Sequence, residues 1–150
     1  MVIPLREQLP DEDRPAAVLR YGAVWGTGGI ALADARHAAR TLLYRAGYPP
    51  HHQISQDAQL VVSELVTNAL RHAPGSGGLL LEVLMAAPAR LRITVRDTSP
   101  RLPQPRDPDP RRVGGHGLRL ITRLCARFDT SHHDGGKHVT AELHLPAPGP

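Results

Sequence analysis

The sequence predicts an α+β domain: a two-layer α/β sandwich whose mostly antiparallel sheet carries its helices on one face. Three observations lead there. Residues 57–73 read as one amphipathic helix. Residues 90–97 alternate cleanly, with Leu91, Ile93 and Val95 on one side and Arg92, Thr94 and Arg96 on the other, as a half-buried strand does. The element order is two helices, strands, a helix and a hairpin, and helices that segregate from strands favour this layering over repeated βαβ units.

Taken in order, residues 1–15 hold Pro4, Pro10, Pro15 and an Asp-Glu-Asp run, which suits a loosely attached leader. Residues 16–24 form an expected strand and residues 25–29 a Gly-rich turn. Leu32, Ala35, Ala39, Leu42 and Leu43 recur at helical spacing over residues 31–46, before Gly47 and Pro49-Pro50 end the helix. Ser55 or Asp57 can cap the next helix, at residues 57–73. A turn at 74–78 precedes an apolar strand at 79–85, and a second turn at 86–89 leads to the alternating strand at 90–97. Residues 98–117 form a long loop with five prolines, closed by Gly114-Gly115-His116-Gly117; loops of that length without structure are often lids. A helix at 118–126 and a hairpin with strands at 127–133 and 137–145 complete the domain, which runs from 16 to 145. Residues 146–150 are a tail.

At 150 residues the chain is one domain, large enough for a real core. Aromatic residues make up 3%, so that core must be aliphatic. The formal charge of +4 comes almost wholly from arginines scattered along the chain, with Lys137 the single lysine. No dense basic run appears, so direct nucleic-acid binding is not expected. Cys125 is alone, which excludes a disulfide framework and a Cys-based zinc site, and its place in an apolar helical pattern suits a small core residue. No signal-peptide pattern and no apolar run near 18 residues is present, so the expected location is cytoplasmic and away from the membrane.

Three constellations could carry chemistry. Gly26-Thr27-Gly28-Gly29-Ile30-Ala31 fits the dinucleotide fingerprint, but no second strand and no acidic residue about 20 positions on follow it, so it reads as a turn. Nine histidines include the pairs His51-His52 and His132-His133; neighbours in a strand point to opposite faces, and no metal-binding spacing with a nearby Glu appears. The third spans three segments. On a helical wheel at about 100° per residue, Glu64, Asn68 and Arg71 line the polar side of the 57–73 helix, flanked by Thr67 and His72. Leu60 and Val61 fall there too, so that side is expected to be covered. An amide oxygen one turn from a carboxylate can hold a Mg²⁺ ion that bridges phosphates, and the carboxylate can orient or deprotonate an attacking hydroxyl. Asp97 ends the alternating strand, where a carboxylate can accept from an exocyclic amine such as that of adenine. The Gly114–Gly117 run opens a helix, where free N–H groups and the helix dipole favour phosphate.

Glu64-Leu65-Val66-Thr67-Asn68-Ala69-Leu70-Arg71-His72-Ala73 resembles the N box of the GHKL ATPase/kinase superfamily, which uses the Bergerat ATP-binding fold. Val95-Arg96-Asp97 resembles its first glycine box and Gly114-Gly115-His116-Gly117-Leu118 its second. Within that superfamily the chain is most similar to the small anti-sigma-factor serine kinases of the RsbW and SpoIIAB type, over about residues 16–145. The resemblance implies ATP and Mg²⁺ as ligands, with Asn68 on the metal, Glu64 as general base or hydroxyl orienter and Asp97 on the adenine amine. Gly114, Gly115, His116, Gly117 and Leu118 would wrap the phosphates, Arg71 and His72 would lie near the phosphates or lid, and Thr140 would reach the adenine side. It further implies a serine/threonine kinase acting as an anti-sigma factor, with an anti-anti-sigma-type protein as substrate and a sigma factor as second partner. Relatives commonly form homodimers. The glycine that usually follows the Asp is missing from Asp97-Thr98-Ser99-Pro100. The P-loop pattern is absent, and no dimerisation-phosphotransfer histidine helix precedes the domain, so neither a P-loop NTPase nor a complete sensor histidine kinase is expected. A non-catalytic nucleotide-binding module that regulates a partner by contact stays open, and a nucleic-acid-binding protein is the more distant rival.

Overall fold

The computed structural model describes residues 2–3, 17–73, 75–99, 117–133 and 135–148. Its elements are β1 (Val2–Ile3), β2 (Leu19–Trp25), α1 (Leu32–Arg45), α2 (Gln53–His72), β3 (Gly77–Leu84), β4 (Arg90–Asp97), α3 (Gly117–Leu124), β5 (Arg127–His133) and β6 (Gly136–His144). The strands form one sheet in the order β1-β2-β3-β4-β6-β5, every neighbouring pair antiparallel. This is the expected α+β two-layer arrangement.

Period-2 alternation decides which side of each strand meets the helices. Ala23, Leu79, Leu81, Val83, Leu91, Ile93, Val95, Val139, Ala141 and Leu143 are buried in one core with Ala35, Ala39, Leu43, Val62, Leu65, Val66 and Ala69 of α1 and α2. Small alanines on both helices let them sit close to the sheet, and α1 packs along α2. Trp25 belongs to this face as well. It was expected in a turn, but it ends β2 because Gly77 opposite leaves room for its indole: a Cβ there would lie 2.6 Å from the ring.

The opposite face of the sheet carries charge in a row set by register. Arg20, Glu82, Arg92 and Glu142 are successive cross-strand partners over β2, β3, β4 and β6. Arg20 lies 3.4 Å from Glu82, and Arg92 reaches Glu82 at 3.9 Å and Glu142 at 3.0 Å. Opposite charges paired directly across strands stabilise a sheet. Within this row each glutamate is paired with at least one arginine.

Several boundaries differ from the expected ones. Helix α2 starts at Gln53, four residues early, and its cap is neither Ser55 nor Asp57: the His52 ring accepts the Ile54 N–H at 3.0 Å, and Ser55 is buried inside the first turn. Helix α3 stops at Leu124, before the expected end at 126. Cys125 follows it, half-buried against the core, and burial pushes its thiol up to about 11, which favours the thiol form at neutral pH. Two residues of the expected leader, Val2–Ile3, pair with Trp25 and Val24. The tail docks: the buried Tyr48 donates its hydroxyl hydrogen to the Pro146 carbonyl, and Pro148 lies against Gly47. Among the described residues no helix is long and apolar enough to cross a membrane.

Candidate functional site

The polar stripe of α2 is where the wheel places it. Its apolar residues are buried, Glu64 and Asn68 are half-buried, and Arg71 and His72 are exposed in the last turn. Of the two apolar residues expected on the polar side, Val61 is fully buried and Leu60 is exposed. Glu64 and Asn68 are one helical turn apart, so their side chains stand on the same face. Among the described residues neither makes a side-chain hydrogen bond. Partial burial raises the Glu64 pKa above its ordinary value, and the Arg71 charge offsets this in part. A carboxylate pushed upward holds protons more readily near neutrality, which suits a proton acceptor.

The far end of α2 meets the end of β4. A Cβ on Gly75, just past the helix, would lie 3.6 Å from the Thr98 hydroxyl, and α2 packs on both β4 and β6. Asp97 shares the helix-facing parity of Val95 and is 4% exposed. Its carboxylate, expected to accept the adenine amine, is paired here with an ammonium. Lys137, opposite it in the β4–β6 ladder and equally buried, places Nζ 3.0 Å from Oδ1 and 3.0 Å from Oδ2. The same ammonium donates to the Ser99 carbonyl at 3.2 Å, and the Ser99 N–H donates to Asp97 Oδ1 at 2.8 Å. The reason is register: β6 begins where β4 ends, so the single lysine falls beside Asp97. The alternation of β6 puts Lys137 on the core side, and the strand order and register put it beside Asp97.

Thr140 does not join this corner. It lies opposite Thr94 and Asp129, among the residues whose side chains alternate away from the helices, while Val139 and Ala141 face the core. The alternation of residues 137–145 carried that signal. Gly114, Gly115 and His116 lie outside the described residues; Gly117 and Leu118 open α3, which packs on α2 through the fully buried Ile121. Gly26 to Gly29 is a turn, closed by the Gly29 N–H on the Gly26 carbonyl at 3.0 Å, and Gly29 abuts Leu70 of α2.

Among the described residues no group of three His, Cys, Asp or Glu side chains could hold a metal. A magnesium ion with one protein ligand and several phosphate oxygens needs no such cage, and the Asn68 amide beside Glu64 fits that use. The two ends of the candidate site therefore differ. The α2 end offers free groups suited to a metal and phosphates, whereas the Asp97 end is a closed ion pair.

A profile of the histidine kinase-like ATPase domain matches residues 29–143. No curated protein matches significantly. Among solved structures, the chain is similar to the histidine kinase domain from the Erythrobacter litoralis EL346 blue-light activated histidine kinase, with 24% identity and a TM-score of 0.45. That match covers 76% of this chain and 59% of the other.

Proposed function

The chain belongs to the histidine kinase-like ATPase domain family, and on that premise we propose that it is a cytoplasmic Mg-ATP-binding regulatory protein that phosphorylates a serine or threonine on a protein partner. The observation that carries this reading is the pair Glu64 and Asn68: adjacent on one helix face, half-buried, and free of side-chain partners among the described residues. Asn68 would hold the metal, whose charge offsets that of the phosphates. Glu64 would orient the partner hydroxyl and accept its proton, a role that its raised pKa supports. Phosphoryl transfer depends mainly on positioning and electrostatics, so few groups suffice. By resemblance, the partner would be a small anti-anti-sigma-type protein and the regulated target a sigma factor.

Thermal denaturation with ATP, with and without Mg²⁺, tests the first half. A ligand that binds only the folded state raises the midpoint, and Asn68→Ala should remove the magnesium-dependent part of the rise. Glu64→Ala tests the second half: it should leave ATP binding in place and abolish phosphate transfer to the partner. A wild-type chain that shows no shift at millimolar ATP would sink the reading.

A second reading is favoured by the closed Asp97–Lys137 pair: a non-catalytic module that regulates its partner by contact. Absence of any transfer by the wild type to its partner, with contact retained in Glu64→Ala, would select it.

A further inference from the structure

We propose that Lys137 sets the base selectivity of this chain: by holding Asp97 in a closed ion pair, it leaves nucleoside triphosphates to be bound through phosphate and metal, with little discrimination between purine bases. The inference rests on the reading that the chain binds nucleotides. The Lys137 ammonium has three N–H groups, and three acceptors surround it: both oxygens of Asp97 and the Ser99 carbonyl. Asp97 receives the Ser99 N–H as well. Every proton of the ammonium is used, and most of the carboxylate's accepting capacity is filled.

A base amine arriving here is a neutral donor competing with an ammonium. The ammonium adds the Coulomb attraction of a full positive charge that a neutral amine lacks, and displacing the lysine would strand a buried cation. The amine loses that contest. Nor is the pair a loose surface contact. Lys137 is fixed opposite Asp97 by the strand ladder, and the Gly136 backbone abuts that of β4 so closely that a Cβ on Gly136 would lie 2.0 Å from the Asp97 carbonyl oxygen. With Asp97 held in this way, no free carboxylate among the described residues of this corner is left to tell adenine from guanine.

The test is calorimetric titration of the full chain with ATP and with GTP, in Mg²⁺. The wild type should bind the two within about threefold. Lys137→Thr should free the carboxylate to accept the adenine amine and to repel the carbonyl that guanine carries at the same edge. A hydrogen bond to a charged group corresponds to about a tenfold to hundredfold change in affinity, so the variant should prefer ATP by about tenfold or more. A purely structural role for Lys137 would lower stability without moving this ratio. A wild-type preference for ATP of about tenfold overturns the proposal, as does an unchanged ratio in a folded Lys137→Thr. If that variant fails to fold, the wild-type ratio decides alone. Binding of neither nucleotide by either protein sinks the nucleotide reading and this inference with it, whereas nucleotide binding with adenine preference sinks only the role of Lys137.

Discussion

Replacing Lys137 by Met tests how much the corner of the sheet depends on its buried ion pair. Both side chains are 5% exposed, and the ammonium makes three contacts of 3.0, 3.0 and 3.2 Å. Methionine fills most of the lysine's volume, so the perturbation is chiefly electrostatic. It leaves the Asp97 carboxylate buried, with the Ser99 N–H at 2.8 Å still donating to it. Breaking a buried pair on one side costs about 3–5 kcal/mol. The surviving Ser99 bond puts the expected loss near the lower end, about 3 kcal/mol. For a chain of this size that lowers the thermal midpoint by about 6–12 °C. Adding Asp97→Asn removes the stranded charge while keeping an acceptor for Ser99. The double variant should therefore be more stable than Lys137→Met alone, with a coupling of about 2 kcal/mol. Urea denaturation of the wild type, both single variants and the double measures the cycle. A Lys137→Met loss below about 1 kcal/mol, or two losses that simply add, would refute the argument.

Glu64 predicts a pH dependence. Its folded pKa lies above its ordinary value near 4.5, because of burial, so the folded state holds a proton that the unfolded chain releases. Its contribution is therefore most favourable below that ordinary value and falls as pH rises toward the raised one. Glu64→Gln should flatten this fall and be the more stable protein at neutral pH, as read from urea midpoints between about pH 4 and 7. Gly136→Ala should cost about 3 kcal/mol, because backbone meets backbone there and no side chain can yield. Gly28→Ala, with nothing within 4 Å of the added atom, should stay within about 0.5 kcal/mol of wild type. Gly77→Ala drives a methyl into the indole of Trp25, the chain's single tryptophan. It should shift tryptophan emission toward that of an exposed ring and cost about 1–3 kcal/mol; unchanged emission would mean that β3 yields instead.

What was legible in the sequence is what a single segment encodes. Strand β4 has its expected bounds because its alternation is strict, and the buried side of α2 follows from helical spacing. The features missed depend on two segments at once. Trp25 ends a strand only because Gly77 faces it, and Val2–Ile3 is a strand only because β2 has a free edge beside it. Helix α2 begins early because the His52 ring can cap it, although hydroxyl and carboxylate side chains a few residues on looked better suited.

The site divides along the same line. Glu64 and Asn68 lie four residues apart on one helix, so their alignment is local and readable. Asp97 and Lys137 lie forty residues apart, and their meeting needs the strand order and the register together. Parity alone could have placed Thr140 on the outer face, since Val139 and Ala141 flank it and must point to the core. It could also have placed Lys137 on the inner face, where a buried cation requires an anion. Among the described residues, the acid at that end of β4 is Asp97. A lone lysine in an arginine-rich chain, on the core side of a strand, was thus a sign that the carboxylate opposite already had its partner.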